Sequence, residues 1–171
     1  MSEQVLMDLV ERVRSRFYGK YRGTVTAVGT GQFLGYIKAK VPAVLGDEES
    51  GWCMPCVPYA GNQAAIAFLP EENAGVWIEF EGGDVSHPIW VGCYWHENEL
   101  PPRVAPDVKV IRTAGKQQLI LDDKNHTITI TDANHNSVTL DKNGITIVRK
   151  SGKIAVTENK VSINDGAMEV T

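Results

Sequence analysis

From Leu119 to the C-terminus, apolar residues arrive in pairs two positions apart: Leu119/Leu121, Ile128/Ile130, Val138/Leu140, Ile145/Ile147, Ile154/Val156, Val161/Ile163 and Met168/Val170. The first members of these pairs step forward by seven to ten residues. Most of the residues between pair members are small or hydroxylic, as at Thr129, Thr139, Thr146, Ala155 and Ser162. Turn formers fill the gaps, in Asp123-Lys124-Asn125, Asn143-Gly144, Ser151-Gly152 and Asp165-Gly166. Alternation with a period of two, punctuated this often, marks an internal repeat of very short strands.

The repeat limits what the tail can become. Each unit offers one apolar stripe two residues wide, and a strand pair that small does not stand alone in water. Ordering the backbone costs roughly 1–2 kcal/mol per residue, whereas a fully buried aliphatic side chain returns roughly 1.5–3 kcal/mol. A half-exposed stripe therefore does not offset the ordering of its turns. A single-chain solenoid with three faces would complete barely two coils, and repeat stacks need about three or more repeats with caps. Three copies wound about one axis solve the problem, each stripe facing the other two and each edge pairing with a neighbour. The expectation is an intertwined trimeric β-helix or β-prism over 116–171 with those fourteen apolar residues as its core. The competing arrangement is an antiparallel meander folded back on the rest of the chain.

Upstream the texture changes twice. Between Ser2 and Tyr18, residues Val5, Leu6, Leu9, Val10, Val13 and Phe17 recur at helical spacing, with Glu3 in the first turn and Arg12, Arg14 and Arg16 in the last, as the helix dipole favours. Gly19 is a fitting stop. This N-terminal amphipathic helix, 1–19, either packs on its own domain or docks on a neighbouring subunit. Five strands follow, Tyr21–Val28, Gly35–Val41, Trp52–Val57, Val76–Phe80 and Ile89–Tyr94, and Ala64 to Phe68 is either a sixth or a packed loop. Five short strands in so few residues suit a small closed barrel of the oligonucleotide/oligosaccharide-binding (OB) type over 20–97. Pro101, Pro102 and Pro106 make 98–115 an extended, semi-rigid linker. The fold class is all-β: a helix, an OB-like barrel, then the trimeric needle.

Composition narrows the function. The chain has 171 residues and a formal net charge of −4, which opposes a dedicated nucleic-acid binder, since phosphate contact needs clustered Lys and Arg. No apolar run reaches the roughly 20 residues of a membrane-spanning helix, and Glu3 and Asp8 are foreign to a secretory leader. Three cysteines provide no framework of bridges, so synthesis in a reducing bacterial cytoplasm is expected.

Candidate chemistry is sparse. Cys53 and Cys56 have C-x-x-C spacing, and Cys93 with His96 has C-x-x-H spacing, a set that could close a tetrahedral zinc site. Both motifs fall on or beside strands, where residues three apart face opposite ways, so buried barrel cysteines explain them better and no metal or cofactor is expected. His87, His126 and His135 read as surface residues, as do Asp122/Asp123, Glu71/Glu72 and the acidic loop Asp47, Glu48 and Glu49. No catalytic constellation is present in the sequence, and no enzymatic activity is expected. Trp52, Trp77, Trp90 and Trp95 read as core or subunit contacts. A binding module for single-stranded nucleic acid or carbohydrate is the alternative, and it would need exposed aromatics over a basic groove.

Several segments carry a further signal: Gly35-Tyr36-Ile37-Lys38-Ala39-Lys40-Val41-Pro42, the run from Trp52 to Gly61, Phe68-Leu69-Pro70, the run from Val76 to Asp84, and the run from Pro88 to Trp95. In the tail, Pro106 to Thr113 and Leu121-Asp122-Asp123 join them. In this order and spacing they resemble the spike proteins of contractile injection machines: phage baseplate assembly protein V, the valine-glycine repeat spikes of type VI secretion, and tailocin relatives. The resemblance implies an OB barrel, a homotrimer and a membrane-piercing β-helical needle at the centre of a baseplate. It implies tube or hub proteins at the N-terminal end, transient contact with a target membrane, and a tip protein of the proline-alanine-alanine-arginine (PAAR) type at the C-terminal end. There are departures. No lysozyme domain fits between barrel and needle, and Gly166 to Thr171 lacks the His-x-His iron site that closes some short phage spikes.

Overall fold

A computed structural model of the chain describes residues 3–171; Met1, Ser2 and the side chains of Leu6, Asp8, Arg12 and Glu169 lie outside the described residues. The chain forms two compact units, Met1–Glu99 and Leu100–Thr171.

The first unit opens with helix α1 (Glu3–Arg14). Its side chains at Val5, Met7, Leu9, Val10 and Val13 are all exposed, so this part of the apolar face is not packed on the chain's own barrel. Leu6, part of the same expected face, lies outside the described side chains. The chain is fastened just after the helix. The Phe17 amide donates to the Gly83 carbonyl at 2.9 Å, Arg16 pairs with Asp84 at 3.0 Å, and the Phe17 ring packs on Tyr21 and Phe80.

The barrel strands follow: β1 (Tyr21–Val28), β2 (Ile37–Lys40), a single helical turn α2 (Pro42–Leu45), β3 (Met54–Pro55), β4 (Tyr59–Gly61), β5 (Ala64–Ile66), β6 (Gly75–Phe80) and β7 (Pro88–Tyr94). The main sheet runs in the order β2-β1-β6-β7-β3, with every pair antiparallel except β3 and β7. A bridge between Ile37 and Cys53 joins its ends, each amide donating to the other's carbonyl at 3.3 and 2.7 Å. The sheet is thereby a closed five-stranded barrel, which removes open edges. β1 lies between β2 and β6, and a bulge between Val25 and Ala27 bends it where it pairs with β2.

Alternation delivers the core as the sequence suggests: Ile37 and Ala39 from β2, then Val76, Ile78 and Phe80 from β6, join Val25, Val41, Cys53 and Trp90. Pro88, which lacks an N–H, begins β7 rather than interrupting it. The third expected strand shrinks to two residues, since Pro55 and Pro58 flank Cys56 and Val57 and break the ladder. Ala64–Ile66 is a strand, and its partner is β4.

The second unit is one sheet of eight strands: β8 (Val108–Arg112), β9 (Gln118–Asp122), β10 (Thr127–Thr131), β11 (Ser137–Asp141), β12 (Gly144–Arg149), β13 (Gly152–Val156), β14 (Val161–Ile163) and β15 (Met168–Val170). The strands lie in chain order, each antiparallel to the next. Hydrogen bonds that the repeat argument gave to neighbouring chains are thus made within the chain, by a meander. β8 falls inside the stretch expected to be linker.

Candidate functional site

The register of the second unit sorts its side chains into columns. Along one line lie Leu121, Ile128, Leu140, Ile145, Val156, Val161 and Val170, paired rung by rung. Beside it run Leu119, Ile130, Val138, Ile147, Ile154, Ile163 and Met168. All fourteen residues of the sequence repeat therefore share one face, because successive strand residues alternate sides and each register shift here is even. That face is open to solvent: Ile130 is 51% and Ile147 44% exposed.

The residues between the columns form a third line on the opposite face: Ile120, Thr129, Thr139, Thr146, Ala155 and Ser162. Here the sequence hides a contribution. Val110 of β8 pairs with Ile120 and Val108 with Asp122, so the apolar phase of β8 faces this side. Ile120 is buried. The same face carries a polar relay at one end of the strands: Arg112 donates to Gln118 at 3.1 Å, and Gln118 donates to Thr131 at 2.7 Å.

Aspartates fasten two of the turns. Asp122, expected at the surface, is instead buried at 6% exposure, because its carboxylate is turned onto its own turn, accepting from the Asn125 side chain and backbone, both at 2.9 Å. Asp132 accepts from the backbone amides of Asn136 and Asn134 and from both Asn side chains. These donors hold both carboxyls below the usual carboxylate range, led by the Asn125 side chain for Asp122 and the Asn136 amide for Asp132. A folded-state pKa below the unfolded one adds stability above the unfolded value, about 4, and that stability is lost as pH falls through the folded pKa. The melting temperature of the wild-type chain should therefore fall as the pH is taken from about 5 through 4 and below, and Asp122→Asn with Asp132→Asn should flatten that fall. An equal fall in the double variant would contradict the assignment.

The barrel surface holds the other candidates. Cys53 is buried in the core beside Ser50 Oγ at 3.3 Å, and burial pushes its thiol pKa up. Cys56 and Cys93 are exposed, and His96 lies edge-on to Tyr94. Among the described residues no three His, Cys, Asp or Glu converge on a metal position. His87, His126 and His135 are exposed.

Trp90 is buried and donates to the Gly35 carbonyl at 3.1 Å. Trp77 packs against Tyr94, with the Arg22 guanidinium 5.7 Å from its ring centre. Trp52 stacks on Phe33, centroids 4.9 Å apart, with the Lys38 ammonium above it. That stack is the feature nearest to a base or sugar platform. Its cation is already paired with Glu49 at 2.9 Å, so it does not offer the free positive groove a nucleic acid requires. Trp95 is exposed.

Two family models match. Residues 21–95 match the OB domain of type VI secretion system and phage-baseplate injectors. Residues 108–169 match the phage baseplate V C-terminal trimerisation domain, the stretch that carries both apolar columns except Val170. Together the matches span most of the chain. No curated protein matches it.

Proposed function

The chain belongs to the baseplate V family of phage and type VI injectors, and from that premise we propose that it is the trimeric, membrane-piercing centre of a contractile baseplate. Its work is mechanical. The observation that carries this reading is the pair of seven-rung apolar columns, which share one face and have no cover among the described residues. A soluble monomer rarely shows a contiguous apolar face of that extent. Three copies bury all three faces around one axis, and the fourteen column residues become the needle core.

The division 1–19, 20–97, 98–115 and 116–171 is retained as a functional proposal, with one amendment: β8 (Val108–Arg112) belongs to the needle. The barrel is the adaptor to tube or hub proteins, and α1 presents Val5, Leu9 and Val13 to them. A tip protein of the PAAR type caps the other end. The spike is made in the bacterial cytoplasm and works inside the assembled tail-like particle. It has no catalytic role, in keeping with a family of structural baseplate proteins.

Light scattering on the full-length protein tests the reading. The expected molar mass is three times that of the 18.8 kDa chain. A monomer at micromolar concentration would sink it.

A further inference from the structure

The hairpin of β4 and β5 has no strand partner in the rest of its unit among the described residues. Its strands pair with each other, Tyr59 with Ile66, Ala60 with Ala65 and Gly61 with Ala64, in a two-stranded sheet separate from the barrel. An isolated hairpin of two short strands is at best marginal in water. It is also apolar on the outside: Tyr59 is 54% exposed, Phe68 63%, and Ile66 and Leu69 are exposed as well. From Ser50 to Pro70 the chain carries no Asp, Glu, Lys, Arg or His, although 22% of all its residues are charged and Glu49 and Glu71 flank the run. A loop that lives in solvent would not be expected to lose every charge while presenting large apolar side chains.

We propose that this hairpin is an arm that packs on the corresponding arms of the two neighbouring copies, giving the spike a second threefold contact in its barrel region. The inference rests on the trimeric reading above. Two observations favour a second copy over a foreign partner. Rotational symmetry sets residues near the axis against their own copies, so any charge there meets a like charge. In a chain of net charge −4, an uncharged run is what a homotypic contact requires. A foreign partner imposes no such rule and would be steered by complementary charge. The second observation is the tether. β7 ends at Tyr94 and β8 begins at Val108, a connection that spans at most about 45 Å when fully extended. Once the C-terminal units associate, three arms share a small volume at an effective concentration on the order of millimolar, where a weak apolar contact is populated.

The test uses the full chain with Cys56→Ser and Cys93→Ser to clear the exposed thiols, and Ala65→Cys placed in the arm. Light scattering first establishes the mass. In a trimer, a bis-maleimide reagent should then link the introduced arm thiols between chains at a rate independent of protein concentration. Amides of residues 59–68 should exchange hydrogen about tenfold or more slowly than in an unstructured peptide. Loss of either signal in a protein that is still trimeric overturns the arm and leaves the needle standing. A foreign partner as the true cover would give that same result. A monomer removes the trimeric reading itself, and the arm with it.

Discussion

Replacing Ile147 with Asp should turn the trimer into folded monomers. Ile147 lies in the middle of the second column, between Val138 and Ile154, and it is 44% exposed in the single chain. The monomer therefore has little to lose from the change. The trimer has much. At that exposure each copy forfeits roughly 0.7–1.3 kcal/mol of apolar burial on association, or about 2–4 kcal/mol over three copies. The three new carboxylates would also face one another across the axis, and like charges about 4 Å apart repel by about 4 kcal/mol at an effective dielectric near 20. Every 1.4 kcal/mol is about a factor of ten in the association constant, so a micromolar sample should scatter as monomer while its β-sheet circular dichroism persists. Ile147→Leu should remain trimeric. If Ile147→Asp keeps the trimer mass and melting temperature, the columns are not the core.

The second large effect lies in the backbone. Gly144 has φ +130, and a Cβ there would sit 2.0 Å from the Val156 carbonyl oxygen and 3.0 Å from its carbon. That carbonyl belongs to β13, whose Val156 is already paired with Ile145 of β12, so relief would mean breaking a rung. Gly144→Val adds a β-branched side chain in a region of φ that such residues avoid. Strain of about 1–3 kcal/mol and overpacking of about 1–3 kcal/mol together predict about 2–6 kcal/mol of destabilisation per chain. For a domain of this size each kcal/mol moves the melting temperature by about 4–8 °C. Thermal unfolding by circular dichroism should show a drop of about 10 °C or more, and a shift of only a degree or two would mean the turn yields more freely than its contacts suggest.

Much of this architecture was legible because faces are encoded by period. The alternation of Val76, Ile78 and Phe80 placed β6 where it lies, and the apolar pairs identified the residues that share a face. Period does not encode partners. The same pairs fit rungs bonded between chains or within one, and the structure chooses the meander. β8 escaped because its apolar residues Val108 and Val110 are in phase with the opposite face and alternate with Lys109 and Ile111, so they do not look like another repeat unit. The barrel's third strand was overlong for a similar reason: the run Trp52–Val57 is apolar, but its prolines lack the N–H that a ladder needs. The expectation of buried barrel cysteines holds for Cys53 and fails for Cys93 and for Cys56, which stands three positions from Cys53 on an extended chain and so faces the opposite way. Cys53 is buried and Cys56 exposed.

The meander has a mechanical consequence of its own. Its eight strands stack in chain order, so the backbone hydrogen bonds point along the direction in which rungs are added, about 4.8 Å apiece. A push in that direction compresses the bonds in series rather than sliding strands past each other. Such a column fails by buckling sideways, and buckling is resisted by whatever braces its flank. In the proposed trimer, two other copies pressing their apolar columns into the third would be that brace.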